Sequence, residues 1–198
     1  MLLPALKQVR QKTRQINCAH NLKQLAMAAT MYVNDYNGYF FIGQSASPED
    51  SLTTRFWNLK YISNPNIGLC PSGIPNVYDK SDPLSYKFTY GAEYHRNTAE
   101  LPLIRIKILE PNCWIFLRKI STIQSPSKAC YLSDSVLAGS GKQIFLTMDN
   151  AANNVGVCLR HNIQANVLFF DGHINACDKT ELKDAGFIKY YDKNGDEF

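Results

Sequence analysis

Between residues 5 and 36 the chain has neither glycine nor proline, and apolar residues return at steps of three and four: Ile16, Ala19, Leu22, Ala26, Ala29, Val33 and Tyr36. Leu25 and Tyr32 widen the stripe. This period predicts an amphipathic helix with a small-residue face, and Asn37-Gly38 predicts its end because both residue types tolerate positive φ. A continuous helix here would be about 48 Å long at 1.5 Å per residue. A globule of 198 residues has a radius of gyration of only about 16 Å. From Lys7 to Gln15 the one sizeable apolar side chain is Val9, so this half is expected to project while the second half packs on the body. Ahead of it, Met1-Leu2-Leu3-Pro4-Ala5-Leu6 reads as the end of a longer hydrophobic segment.

After Gly38 the texture changes to short segments broken by Gly, Pro, Asn and Ser. Residues 48–62 predict a short helix capped by Ser47. Strands are expected at Tyr86–Tyr90, Ile104–Leu109, Trp114–Ile120, Ala129–Leu132, Ile144–Met148, Val155–Leu159 and Asn166–Phe170. Asp171-Gly172, between Phe169-Phe170 and His173-Ile174, predicts a hairpin with a type I′ turn, which needs positive φ at both central residues. No ten-residue helical pattern separates successive strands, so the sheet is expected to be antiparallel. The class is therefore α+β, with a helical spine over 1–36 and a sheet-built head over 37–198 that together fold as one domain.

Charge refines this picture. Lys7, Arg10, Lys12, Arg14 and Lys23 fall before Asn34 with no acidic residue among them, although the whole chain carries only +4. A basic arm on a near-neutral body suits a membrane-proximal segment or a solvated helix face. A nucleic-acid arm would interleave aromatics with the cations. Residues 7–23 hold no aromatic besides His20, so no nucleic-acid partner is expected. No stretch is apolar enough to form a complete transmembrane helix. The six cysteines, at 18, 70, 113, 130, 158 and 177, contain no C-x-x-C pair or zinc-finger spacing and read as buried thiols.

Candidate chemistry is sparse. The densest polar cluster is Arg160-His161-Asn162 with Asp171-Gly172-His173. Its histidines and carboxylate could bind a metal or pair a base with an orienting acid. The favoured reading is structural, with His161, Asp171 and Gly172 serving a hairpin. There is no G-x-S-x-G nucleophile motif, and Gly139-Ser140-Gly141-Lys142 lacks the first glycine of a phosphate loop. No enzymatic activity is expected.

The run from Leu2 to Gln24 resembles the segment behind the hydrophobic core of prepilin-like proteins of the type II secretion and type IV pilin superfamily. It is especially similar to pseudopilin-like families of planctomycete-type bacteria. The matching residues are Leu2-Leu3-Pro4-Ala5-Leu6, the basic stretch, Cys18-Ala19-His20-Asn21-Leu22-Lys23-Gln24, and Asn37-Gly38-Tyr39-Phe40. Further matches are Leu69-Cys70-Pro71-Ser72, Ser125-Pro126-Ser127-Lys128 with Asp134-Ser135, and His161 followed after nine residues by Asp171-Gly172. The chain lacks the family's cleavable leader and hydrophobic half-helix, and its tail is acidic and Tyr-rich where an aromatic ending is customary.

The resemblance implies a pilin-like fold and a structural pseudopilin role in a secretion or pilus-like system. The head would be extracytoplasmic, with other pseudopilin subunits met through the N-terminal helix and the inner membrane met through the missing segment. The alternative is an extracytoplasmic ligand-binding or hydrolytic domain on a pilin-like anchor. It also implies that Cys18 can pair with Cys70, the other reading being two buried thiols. In the tail, Asp192, Asn194 and Asp196 alternate around Gly195 like the first half of a calcium loop. The chain ends at Phe198 before the remaining ligands, so a solvated acidic turn is preferred and no cofactor is expected.

Overall fold

The computed structural model describes residues 2–45, 51–82, 87, 89–93, 101–107, 114–147, 154–187 and 189–198. Helix α1 (Leu2–Asp35) runs 34 residues, or about 51 Å. Residues 3–14 are exposed on every side, and burial begins at Gln15. The embedded face carries Gln15, Cys18, Leu22, Leu25, Ala29 and Tyr32, turned slightly from the expected stripe. Ile16 and Tyr36 at the stripe's ends are exposed. Ile16 lies a third of a turn past Gln15 at the first level where the helix touches the head. Tyr36 stacks on Tyr32 with ring centroids 4.2 Å apart. The helix ends as expected: Asn37 and Gly38 take φ 53° and 83°, and the Gly38 N–H donates to the Val33 carbonyl at 2.8 Å.

Strands β1 (Tyr39–Ser45), β3 (Ile104–Lys107) and β4 (Trp114–Lys119) form an antiparallel sheet in the order β1-β4-β3. β1 bulges between Phe41 and Gly43. The central sheet has the order β10-β9-β5-β2-β7, from β2 (Gly91–Glu93), β5 (Cys130–Ser133), β7 (Leu146–Thr147), β9 (Ala165–Phe169) and β10 (Ile174–Cys177). A third sheet joins β11 (Tyr190–Tyr191), β8 (Val155–Cys158) and β6 (Ser135–Leu137). The sheets are mainly antiparallel, but β2–β7 and β11–β8 pair in parallel. Neither pair is a βαβ unit. The long connections that parallel strands require run through other strands of the head.

β9 is buried at all five positions. Leu168, continued by Phe170, faces α1 and the larger core, while Ala165, Val167 and Phe169 face a second core with Leu182 and Phe187. Alternation of side chains along the strand explains the split. Phe40, Tyr131 and Phe170 cluster with centroids 4.9–5.0 Å apart, and Tyr131 donates to the Phe41 carbonyl at 2.9 Å.

Several local expectations change. Helix α2 spans Leu52–Asn58 and its cap is Ser51, whose Oγ accepts the Thr54 N–H at 3.3 Å; Ser47 lies outside the described residues. The expected strand at Tyr86–Tyr90 gives way to Gly91–Glu93, with Tyr86 and Phe88 outside the described residues, as are Leu109, Cys113 and Met148. The Asp171-Gly172 turn is not type I′. Only Gly172 has positive φ, at 85°, and its N–H donates to the Phe169 carbonyl at 2.9 Å. Core packing of Phe170 holds the turn's first central residue in ordinary backbone, so the loop becomes a three-residue turn closed by a left-handed glycine. A helix not anticipated, α3 (Lys179–Asp184), follows β10. Asp178 and Glu181 form its capping box.

Candidate functional site

Four side chains from distant parts of the chain meet where α1 enters the head. Cys18 comes from the embedded face of α1. Cys70 follows the 3₁₀ turn Pro65–Gly68, and its backbone is clamped by Gln143, whose Oε1 accepts the Cys70 N–H at 2.8 Å and whose Nε2 donates to the Cys70 carbonyl at 3.3 Å. Asp134 sits at the joint between β5 and β6, with its N–H donating to the Asn166 carbonyl at 3.1 Å. His161 opens the turn between β8 and β9, closed by reciprocal backbone bonds with Gln164 at 3.0 and 3.1 Å. Asn162 and Ile163 in that turn take φ 56° and 61°.

The ligand-type atoms of Cys18, Cys70, Asp134 and His161 all lie within 4.8 Å of one another, and all four residues are buried. Cys18 Sγ donates to Asp134 Oδ1 at 3.3 Å. His161 Nε2 stands 3.3 Å from Cys70 Sγ and 3.3 Å from Asp134 Oδ2. Around them, Tyr90 donates its hydroxyl to Cys18 Sγ at 3.1 Å, and the Asn166 N–H donates to Asp134 Oδ2 at 2.8 Å. Arg160 Nε lies 3.8 Å from Asp134 Oδ1, and another nitrogen of its guanidinium donates to the Ser135 carbonyl. A cleft of about 320 Å³ beside α1 is lined in part by Lys12, Gln15 and Gln164, and by His161 of the cluster.

Burial and neighbouring charge act in opposite directions here. Burial raises the Asp134 carboxyl, but the charge and hydrogen bond of His161, with Arg160 and the Asn166 N–H, win and hold it below its ordinary value. Burial lowers His161, yet Asp134 and Cys70 bring it up to about 10. Burial pushes the Cys18 thiol well up. Burial also raises Cys70, but hydrogen bonds from Cys18 and His161 and the charge of Arg160 bring it down to about 7. The two thiols of the cluster are thus shifted in opposite directions, Cys18 up and Cys70 down. Because Cys70 is wholly buried, this is not a substrate-facing nucleophile. The set of two sulfurs, one imidazole nitrogen and one carboxylate is one that can hold a tetrahedral metal.

Of the candidate residues from sequence, His161 belongs to this cluster, but Asp171, Gly172 and His173 do not. They lie beyond the other end of β9, so the structure does not unite them with His161 in a pocket. Asp171 instead serves its own turn, accepting the His173 N–H at 3.1 Å and meeting His173 Nδ1 at 2.6 Å. Cys18 and Cys70 do meet, but as free thiols rather than a disulfide. In the tail, Asp192 Oδ1 accepts the N–H groups of Asn194 and Asp196 at 2.7 and 3.0 Å, and Asn194 turns its amide nitrogen to Asp192 Oδ2 at 3.0 Å. The Asp192 carboxylate thus closes its own turn. Asp134 was absent from the candidates because a single acid between two short strands carries no spacing signal. No helix among the described residues is long and apolar enough to cross a membrane. Comparison with protein-family models, with curated proteins and with solved structures finds no match.

Proposed function

We propose that this chain is a structural, pilin-like subunit that works by assembly rather than by transforming a substrate, as a pseudopilus subunit with its head outside the cytoplasm. The observation that carries the reading is the half-embedded α1. A short helical segment has little stability alone in water, yet residues 3–14 stand free of the head. Leu3, Leu6 and Val9 are 82%, 61% and 63% exposed, on a stripe that only a neighbour can cover. Lys7, Arg10, Lys12 and Arg14 flank it, suiting an anionic membrane surface or an acidic face of an adjoining subunit. The resemblance of Leu2–Gln24 and the later motifs to pseudopilin-like proteins supports the same reading.

The test is in-cell photocrosslinking in the bacterium that makes the protein, with the reactive residue at Leu6 or Val9 and, for comparison, at exposed Lys107 on the head. Ladders of the chain with itself, or with a second subunit identified as carrying the same kind of helix, are expected from the helix positions. Monomer alone from Leu6 and Val9, or ladders equally strong from Lys107, would overturn the assembly reading.

A further inference from the structure

We propose that Cys18, Cys70, Asp134 and His161 form a structural zinc(II) site that fastens α1 to the head. Zinc takes sulfur at about 2.3 Å and nitrogen or oxygen at about 2.0–2.2 Å, tetrahedrally, which places neighbouring ligand atoms roughly 3.3–3.8 Å apart. Whichever Asp134 oxygen serves as the ligand, two edges are already 3.3 Å: Cys70 Sγ–His161 Nε2, with either Cys18 Sγ–Asp134 Oδ1 or His161 Nε2–Asp134 Oδ2. The other edges need to contract only from within 4.8 Å.

Charge fits as well. Zn²⁺ with two thiolates, one carboxylate and a neutral imidazole carries a single negative charge, and the Arg160 guanidinium cancels it. Arg160 Nε is buried, has no hydrogen-bond partner, and stands 3.8 Å from Asp134 Oδ1. It therefore balances charge without occupying the carboxylate's lone pairs. The outer shell that orients metal ligands is present, with the Tyr90 hydroxyl on Cys18 Sγ and the Asn166 N–H on Asp134 Oδ2.

Four protein ligands leave no open position, which is the pattern of a structural rather than a catalytic site. Each comes from a different segment: α1, the loop after the 3₁₀ turn, the β5–β6 joint and the β8–β9 turn. A bound ion would tie all four together. This inference does not depend on the pilin-like reading, because an enzyme or a binding module could use the same fastening.

The full chain, purified with a phosphine reductant and a chelator that is then removed, is titrated with Co²⁺. Zn²⁺ affinity is measured against a chromophoric chelator. One equivalent of Co²⁺ is expected, with sulfur-to-cobalt charge transfer and the intense visible bands of tetrahedral cobalt, both abolished by Zn²⁺. Cys70→Ser should lose most of the charge-transfer intensity, whereas Cys177→Ser, a buried thiol outside the cluster, should keep all of it. Tyr90→Phe should weaken Zn²⁺ about 10-fold through the outer shell. If Cys70→Ser does not fold, X-ray absorption of the zinc-loaded wild type decides the matter, with two sulfur and two nitrogen or oxygen neighbours expected. No saturable binding, a cobalt spectrum untouched by Cys70→Ser, a first shell without sulfur, or a Cys18–Cys70 disulfide persisting in the phosphine-treated chain would each overturn the proposal.

Discussion

If α1 is half head and half spine, truncating leucines along it should give opposite results in its two halves. Leu22 is fully buried at the centre of the embedded face and Leu6 is 61% exposed on the free half. Leu22→Ala deletes three carbon atoms from water-free packing. At about 0.8 kcal/mol for each buried methylene the transfer loss alone is about 2.4 kcal/mol. The cavity cannot close easily, because Leu22 packs in a core with Leu25, Phe56 and Leu168. The total should therefore fall at about 3–4 kcal/mol, within the usual range for buried leucines. Leu6→Ala removes a side chain that is already mostly in water and should stay within about 0.5 kcal/mol. Urea denaturation of the two variants beside the parent chain, fitted for midpoint and slope, gives both numbers. A loss below about 1 kcal/mol for Leu22→Ala, or a loss above that for Leu6→Ala, would refute the division of the helix.

Other predictions concern single interactions in the head. Arg118 and Glu93 form a buried pair at 2.9 Å, so Glu93→Gln should destabilise by about 3 kcal/mol, while Arg118→Met with Glu93→Leu should recover most of it in a double-mutant cycle. At Gly172, with φ 85° and open space around an added Cβ, the cost of substitution is backbone strain alone. Gly172→Val should lower stability by about 2 kcal/mol and Gly172→Asn by clearly less, and equal thermal shifts would disprove the left-handed turn. Tyr61 donates its hydroxyl to Asp35 Oδ2 at 2.5 Å, and that bond, with some burial and the carboxylate's charge, raises the phenol from 10.0 to about 12. A raised value in the fold means the contact stabilises below pH 10 and its contribution fades as pH climbs from 10 toward 12. Tyr32, Tyr90 and Tyr131 are also raised by burial, so phenolate absorbance should show the late-titrating fraction fall by one tyrosine in Asp35→Asn.

The helix was the most legible part of the chain, because the apolar period from Ile16 to Tyr36, inside a longer stretch free of Gly and Pro, outweighs any competing local signal. Its stop at Asn37-Gly38 was equally plain. β1 was missed because Gly43 sits at a bulge, and α3 because a six-residue helix offers too little periodicity; the Asp178-x-x-Glu181 box ahead of Leu182 was its one readable sign. The type I′ expectation failed at Phe170 because core packing decided the backbone there. The buried cluster shows a different limit. Cys18, Cys70, Asp134 and His161 each fall within one of the stretches that carry the pseudopilin resemblance, yet no short-range spacing links them, so only the fold shows that these stretches converge.

The position of β9 between two cores has a consequence for the order in which the protein is made. α1 emerges from the ribosome early, and the strand it rests on follows some 150 residues later, as in the bond from Asn166 Nδ2 to the Gln15 carbonyl across a separation of 151 residues. At synthesis rates of about 5–20 residues per second, that interval lasts roughly 8–30 s. Throughout it, the core around Leu22 lacks Leu168 and the second core lacks Ala165, Val167 and Phe169, so neither can close before the same late strand is made. The nascent chain therefore presents an apolar helix face long before its native partner exists, which makes it a natural client for ribosome-proximal chaperones or for a membrane surface that holds the helix in the meantime.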